Sequence, residues 1–426
     1  MSVKKIGENF VIENDAGWKS LKIKYVADLI IKKDNNSSKR YIGLEHVKSN
    51  LGELSEETDY VPEGDTLGFN ENDVLFGKLR PYLAKCFKAE FSGRCSSEFF
   101  VIRPFERDMS DYLKYLFLSD QFIHCVNAST YGAKMPRVNW DYFGNILIPV
   151  PEAKHALKIS RFLDKETSKI DNLIEKKQRL IELLQEKRQA LITNAVTKGL
   201  DPSVPMKDSG IPWLGEVPEH WDVKKLKYIA RMVGGSTPFK DNLEFWNGDI
   251  PWVSPKDMKA DFIHTSKDYI THLGVIDNNL ELVPENSTLI VVRSGILKHT
   301  LPVAMTKIKV TLNQDMKALI PKSNFLISEY LFWMFKGLAK SVLNNSWKIG
   351  ATVDSIEIEL LENLFFPIPS REEQQTIINY LESRTLKINK LISKLQTQIT
   401  KLQEYRQALI TAAVTGKIDV REKVSS

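Results

Sequence analysis

One stretch of this chain occurs twice, and that repeat limits what the rest can fold into. Residues 146–201 run from ILIPVP through KIDNLIEKKQRLIELLQEKRQALITNAVTKG to LD, and residues 364–419 run from LFFPIP through KINKLISKLQTQITKLQEYRQALITAAVTGK to ID. The copies align without a gap at an offset of 218, placing Pro151 on Pro369, Gln189 on Gln407 and Asp201 on Asp419. Nearly half of the aligned positions are identical, and RQALIT is shared whole. Two copies separated by a long unlike segment are a tandem duplication rather than a solenoid.

Each copy reads as one long helix. In the second, Ile377, Leu381, Arg384, Ile388, Leu391, Leu395, Gln398, Leu402, Tyr405 and Leu409 alternate by four and three, a heptad seam with polar interruptions. The first copy gives Ile159, Leu163, Glu166, Ile170, Leu173, Lys177, Leu180, Leu184, Lys187 and Leu191, with Ile174 and Ile181 widening the stripe. Prolines 149, 151, 367 and 369 close the entrances, and neither proline nor glycine interrupts the runs. About 45 residues at 1.5 Å each make a rod of roughly 65 Å. Such a rod cannot bury its seam alone. The expectation is that the two copies pack on each other as a helical spacer; the alternative is two separate dimerisation helices.

The remaining sequence divides into two globular parts. Residues 1 to about 145 alternate short strand-like runs with polar turns and end in helical segments that begin at Ser110. The part from about Trp221 to Phe366 echoes it: WKSLKIKYVADL (from Trp18) resembles WDVKKLKYIARM (from Trp221), and YLKYLF (from Tyr112) lies 218 residues before YLFWMF. Between these anchors the two parts diverge, as in NDVLFGKLRPYLAKC against NSTLIVVRSGILKHT. The connector after residue 201 is rich in proline and glycine, yet Ile211, Trp213 and Leu214 predict that it lies on a surface. The fold class is therefore α+β: two mixed α/β domains on two long antiparallel coiled-coil helices, related by a pseudo-twofold tandem duplication. The expected boundaries are 1–150, 151–200, 201–368 and 369–426.

Composition narrows the class. A chain of 426 residues that is 42% hydrophobic and 27% charged is an ordinary globular protein. A net charge of +5 permits a nucleic-acid partner. MSVKKIGENF has no apolar signal core and no apolar run reaches membrane length, so a cytoplasmic protein without a membrane partner is expected. The seven histidines stand at no metal-ligand spacing, and Cys86, Cys95 and Cys125 form no CxxC pair. No phosphate loop, dinucleotide fingerprint, nucleophile elbow or HExxH occurs. The pattern points to binding rather than catalysis, with no catalytic or metal-binding residue and no cofactor.

The arrangement resembles the specificity subunit of type I restriction-modification systems. The resemblance lies in MKDSGIPWLGEVPEHWDVKKLKYIA (Met206 to Ala230), KRQALITNAVTKGLD (ending at Asp201) and YRQALITAAVTGKIDVRE near the C-terminus, in the family's order along the whole chain. The first domain departs from it by lacking the full WLGEVPEHW lead-in. The resemblance implies two target-recognition domains, each reading one half of a bipartite asymmetric site on double-stranded DNA. It also implies that the helices set the spacer and dock two methyltransferase subunits, and that restriction-motor subunits join through that complex. S-adenosylmethionine, ATP and Mg2+ would then belong to the partners. The alternative is an orphan DNA-binding scaffold that homodimerises through its helices.

Candidate DNA contacts combine cations, small residues and aromatics in the divergent interiors. In the first domain they are Lys78, Arg80, Lys85, Tyr131, Lys134 and Arg137. In the second they are Ser254, Lys256, Arg293, Ser294, Lys298, His299, Trp347 and Lys348. For each cation taken singly, the competing reading is a solvated surface charge. Trp18 and Trp221 are expected to be core anchors.

Overall fold

The structure is a computed structural model that describes residues 4–6, 9–55, 64–130, 132, 135–348 and 353–420. The chain divides into two compact units, Met1–Arg179 with Leu395–Ser426, and Leu180–Lys394. The two repeated stretches form helices Ala153–Lys198 and Arg371–Val414. At 1.5 Å per residue their 46 and 44 residues span roughly 65–70 Å. In the first unit Arg406 meets Asp171 while Gln398 meets Lys177. The partner number falls as the first rises, so the helices there run antiparallel.

The buried stripe is rotated from the expected seam. Leu173, Leu180, Leu391 and Tyr405 are 42%, 43%, 43% and 58% exposed. The least exposed positions instead run Leu163, Thr167, Ile170, Ile174, Lys177, Ile181, Leu184, Arg188 and Leu191, and in the second helix Leu381, Thr385, Ile388, Ile392, Leu395, Ile399, Leu402, Arg406 and Leu409. The four-three alternation survives, but every second member moves one residue toward the C-terminus. These positions are identical in the two helices except for Lys177 against Leu395. Burial selects residues that both copies need. Thr167 and Thr385 satisfy their hydroxyls by donating to the carbonyls of Leu163 and Leu381, four residues back, at 2.7 and 2.6 Å.

In the first unit the antiparallel strands Ala27–Ile30, Phe99–Pro104, Val74–Gly77 and Cys86–Lys88 lie side by side in that order. Helices Ser110–Leu118 and Asp120–Asn127 cover the sheet, and Phe76, Phe117, Phe122 and Phe143 fill the space between. A smaller sheet, Tyr41–Ile42, Gly93–Ser96 and Thr66–Phe69, holds a second core around Phe69, Phe87 and Phe99. The second unit repeats the main sheet with Ala230–Gly234, Met316–Pro321, Thr288–Val291 and Val303–Thr306, and adds Phe262–Ile263 at the edge. A single helix, Ser328–Ser346, covers it. A Cβ at Gly337 would lie 2.7 Å from a Val196 methyl, so glycine permits this helix to approach the end of the first long helix.

The same buried bond pattern anchors each domain. Tyr112 donates to the carbonyls of Pro149 and Val414 at 2.8 and 2.9 Å, and Tyr330 to those of Pro367 and Val196 at 3.3 and 3.5 Å. Each tyrosine thus holds its own repeat's strand and the helix end of the other repeat. Trp221 is fully buried and Trp18 is partly buried on the first core. The connector forms a hairpin of Met206–Asp208 with Glu216–Pro218, with Leu214 buried and Trp213 packed edge-on to Phe366.

The rotated stripe has a direct energetic consequence. Ile399→Ala should lower the chemical-denaturation stability by about 2 kcal/mol through lost burial and a residual cavity. Tyr405→Ala, at a position of the sequence-derived seam, should change it by less than about 0.5 kcal/mol.

Candidate nucleic-acid interface

The candidates gather where one end of each main sheet meets the segment preceding its C-terminal strand. In the first unit Gly77 pairs with Phe99 at the edge of the sheet, and the chain continues through Lys78, Leu79 and Arg80. This run pairs with residues 136–138: the Arg80 amide donates to Pro136 O at 2.8 Å and the Val138 amide to Lys78 O at 3.1 Å, around a bridge between Leu79 and Arg137. The second unit contains the same frame. Val291 pairs with Met316, the Ser294 amide donates to Asp354 O at 3.1 Å, and the Ile356 amide donates to Val292 O at 2.8 Å, around a bridge between Arg293 and Ser355.

This backbone correspondence shows which side chains replace one another. Arg293 stands where the first unit has Leu79, Ser294 where it has Arg80, and Ser355 where it has Arg137. The candidates that the sequence offers near this strand are Trp347 and Lys348. Those two residues lie one strand further out, with Trp347 opposite Ile356 and Lys348 opposite Ser355. The frame therefore brings Arg293, Ser294, Trp347 and Lys348 around one short strand. Ser355 escaped notice because it carries no charge. The signal that could have found it was its offset of 218 from Arg137.

The turns that follow differ in length. Gly77 N donates to Lys85 O at 2.8 Å, whereas its counterpart Val291 donates to Pro302 O at 3.4 Å across a loop three residues longer. In the short turn Arg80 (φ 51) and Ala84 (φ 45) both take the left-handed conformation that favours glycine. Such strain persists only where surrounding bonds hold it. In the longer loop Lys298 and His299 are exposed and occupy the extra length.

Several candidate cations already have partners. Arg137 forms a two-pronged pair with Glu98 at 2.9 and 3.2 Å. Lys85 donates to Leu44 O at 2.6 Å, and Lys78 lies 5.9 Å from the Phe100 ring centre. Arg293 pairs with Asp315 at 2.7 Å and Lys348 with Glu357 at 2.7 Å, the latter hydrogen bond raising the lysine pKa. Arg80 is exposed at the tip. Ser254 lies apart: its buried hydroxyl and amide are committed to Asp257, capping the turn that carries exposed Lys256. Tyr131 and Lys134 lie outside the described residues.

The thiols sit in the cores. Burial pushes Cys95 up to about 12 and Cys125 up to about 11, and raises Cys86 further, so they are protonated near neutrality. Among the described residues no group of three or more His, Cys, Asp or Glu side chains could hold a metal ion. No described helix is long and apolar enough to cross a membrane.

Residues 218–401 match the family model described as Type I restriction modification DNA specificity domain. The Escherichia coli EcoR124I/EcoR124II specificity subunit is 40% identical over 191 residues, covering 44% of this chain and 47% of that one. Over this stretch the chain is similar to type I specificity subunits. The MjaIX specificity subunit of Methanocaldococcus jannaschii is 34% identical over 197 residues, 44% of each chain. This chain thus matches about half the length of these two curated relatives. The MjaVIII specificity subunit of the same organism aligns more widely, at 25% identity over 83% of this chain and 80% of that one. The fold recurs at 18% identity and a TM-score of 0.76 in a chain from a study of type I R-M complex assembly and conformational transition, covering 95% of this chain and all of that one. The HsdS subunit of Thermoanaerobacter tengcongensis gives a TM-score of 0.52 at 17% identity, over 95% and 98% of the two chains.

Arg137 provides a test that separates contact from folding. Its pair with Glu98 is partly exposed, so Arg137→Ala should change stability by less than about 1 kcal/mol. Titration of the folded variant with duplex DNA should show one of two losses. A base contact relaxes one position by about 1–3 kcal/mol, while a phosphate contact weakens all sequences and lowers the salt dependence. Unchanged binding would remove Arg137 from the interface.

Proposed function

We propose that each unit reads one half of a bipartite, asymmetric sequence on double-stranded DNA, and that the paired helices fix the distance between the halves. The observation that carries this reading is the shared backbone frame with exchanged side chains. Leu79, Arg80 and Arg137 in one unit are replaced by Arg293, Ser294 and Ser355 in the other, around equivalent hydrogen bonds. Base edges differ in donor and acceptor pattern, so a constant frame with different polar groups suits two different half-sites. Lys78 and Lys85 in the first unit, and Lys298, His299, Trp347 and Lys348 in the second, supply charge and stacking surface near the turns, while Lys256 adds a cation on a separate turn. Contacts to phosphate position a protein while contacts to bases specify.

The helices and the duplicated scaffold dock two methyltransferase subunits, and restriction-motor subunits join through that complex. S-adenosylmethionine, ATP and Mg2+ belong to those partners, and this chain contributes recognition without a catalytic step.

Replacing residues 1–145 with the corresponding domain of another specificity subunit should change one half-site and leave the other intact. Methylation mapping after co-expression with the methyltransferase decides it. A concerted change in both halves, or none, overturns the two-reader proposal.

The spacer is tested separately. One helical turn of four residues inserted near Glu182, with a matching turn in the second helix, adds roughly 6 Å to the pair. The mapped spacer should lengthen by one or two base pairs while both half-sites stay the same. An unchanged spacer in a folded, active complex would show that the helices do not set it.

A further inference from the structure

Arg188 and Arg406 occupy equivalent positions in the two RQALIT segments and fall on the buried stripe of their helices. A helix seam ordinarily excludes charge, because removing a guanidinium from water is costly unless several hydrogen bonds replace the solvent. Arg406 is 4% exposed, and its partners are specific. Its Nε donates to Asp171 on the first long helix, at 2.9 and 3.1 Å from the two carboxylate oxygens. Its Nη1 donates to Asn50 O at 2.8 Å and its Nη2 to Leu51 O at 3.4 Å, both in the first globular domain. One side chain therefore binds both helices to a domain loop.

That loop leads to the candidate reading turn through main-chain bonds. The Asn50 amide donates to Ala84 O at 3.2 Å, the Ala84 amide to Pro81 O at 2.9 Å, and the Leu83 amide to Arg80 O at 2.9 Å. Ala84 and Arg80 are the two left-handed residues that bound the turn.

The second unit reaches the corresponding hairpin by different chemistry. Arg188 donates to the Asp261 carboxylate, which also receives Lys336 at 2.7 Å. Burial raises the Asp261 pKa, but Lys336 and Arg188 together hold it below the ordinary carboxylate range. The carbonyl of Asp261 accepts the Met305 amide at 2.9 Å. Met305 pairs with Thr288 in the hairpin whose loop carries Arg293, Ser294, Lys298 and His299. Each arginine thus leads by a short bonded route to the hairpin with that unit's candidate contacts.

We propose that Arg406 and Arg188 are positioning residues that set each reading hairpin relative to the helix segment in its own unit, and so govern half-site preference without touching DNA. The inference rests on the two-reader function above. The asymmetry has its own consequence. The first domain presents only carbonyl groups to Arg406, which many loop sequences could supply, whereas the second domain must provide an acid at position 261.

The test uses the full-length chain co-expressed with its methyltransferase, and a pool of randomised DNA duplexes from which bound molecules are sequenced. Arg406→Met preserves much of the side-chain length but no donor, and should relax base preference in the first half-site about tenfold, the scale of one lost base discrimination. Preference in the second half-site should remain within about twofold and serves as the internal control for folding. Arg188→Met and Asp261→Asn should produce the reverse pattern. Arg406→Lys keeps a charge for Asp171 but lacks the planar fork that also reaches two carbonyls. It should retain most of the wild-type denaturation midpoint while still relaxing the first half-site, an outcome that a purely structural role would not produce. Wild-type preference in Arg406→Lys and Arg406→Met, or equal loss at both half-sites, overturns the positioning role. A wild-type complex that enriches no two-part sequence overturns the two-reader function and the inference with it.

Discussion

The structure depends on an apolar stripe that runs the length of two helices and that neither can bury alone. Isoleucines 170, 174 and 181 with Leu163 and Leu184 have counterparts at 388, 392, 399, 381 and 402. Each apolar side chain withdrawn from water contributes on the order of 1.5–3 kcal/mol when burial is complete. Partial exposure in the middle of the rods lowers that value, so the ends, where domain residues also pack, carry the greater density of buried groups. At those ends Ile159 and Ile410 join the core of the first unit, while Ile192 and Ile377 join that of the second. Each unit's core therefore draws on both copies of the repeat.

This sharing explains why the scaffold can stay constant while the domain surfaces change. Tyr112 and Tyr330 bind equivalent pairs of carbonyls, and the strands leading into the long helices, Leu147–Val150 and Phe365–Ile368, pair antiparallel with Lys19–Lys22 and Asp222–Lys225. None of these contacts uses the turns that carry the candidate residues. A turn can gain or lose three residues, as between the two units here, without altering the hydrogen bonds that hold its sheet. The agreement is incomplete at one place. Thr193 Oγ1 and Gln189 Nε2 both donate to Gly337 O in the second unit, while the equivalent Thr411 Oγ1 is buried without a partner in the first. The continuous helix Ser328–Ser346 corresponds there to two helices divided at Ser119, which changes the carbonyls available.

The long helices, their prolines and the two-domain arrangement were legible because each leaves a periodic or duplicated mark. The phase of the seam was not read correctly. Apolar content alone ranked Leu173 and Leu180 with the stripe and left Arg188 and Thr167 outside it. Comparing the copies gives the better criterion, since a residue that must fit a shared interior is retained in both. At the candidate interface, charge and glycine drew attention to Arg137, Arg293 and Lys348. The paired carboxylates Glu98, Asp315 and Glu357 were missed because they are distant in sequence or chemically unremarkable.

The sequence by itself determined that there are two helices of this length, two α/β domains and an offset that relates them. Those properties follow from local periodicity and from comparing the chain with itself. Only the tertiary structure decided which helix face is buried, which residues of the two domains are equivalent, and how the seam arginines are neutralised. Each of these depends on groups far apart in the chain. Asp171 and Arg406 are separated by 235 residues, yet they lie 2.9 Å apart. A buried charge is tolerated only where such distant partners converge, and that convergence exists only after folding.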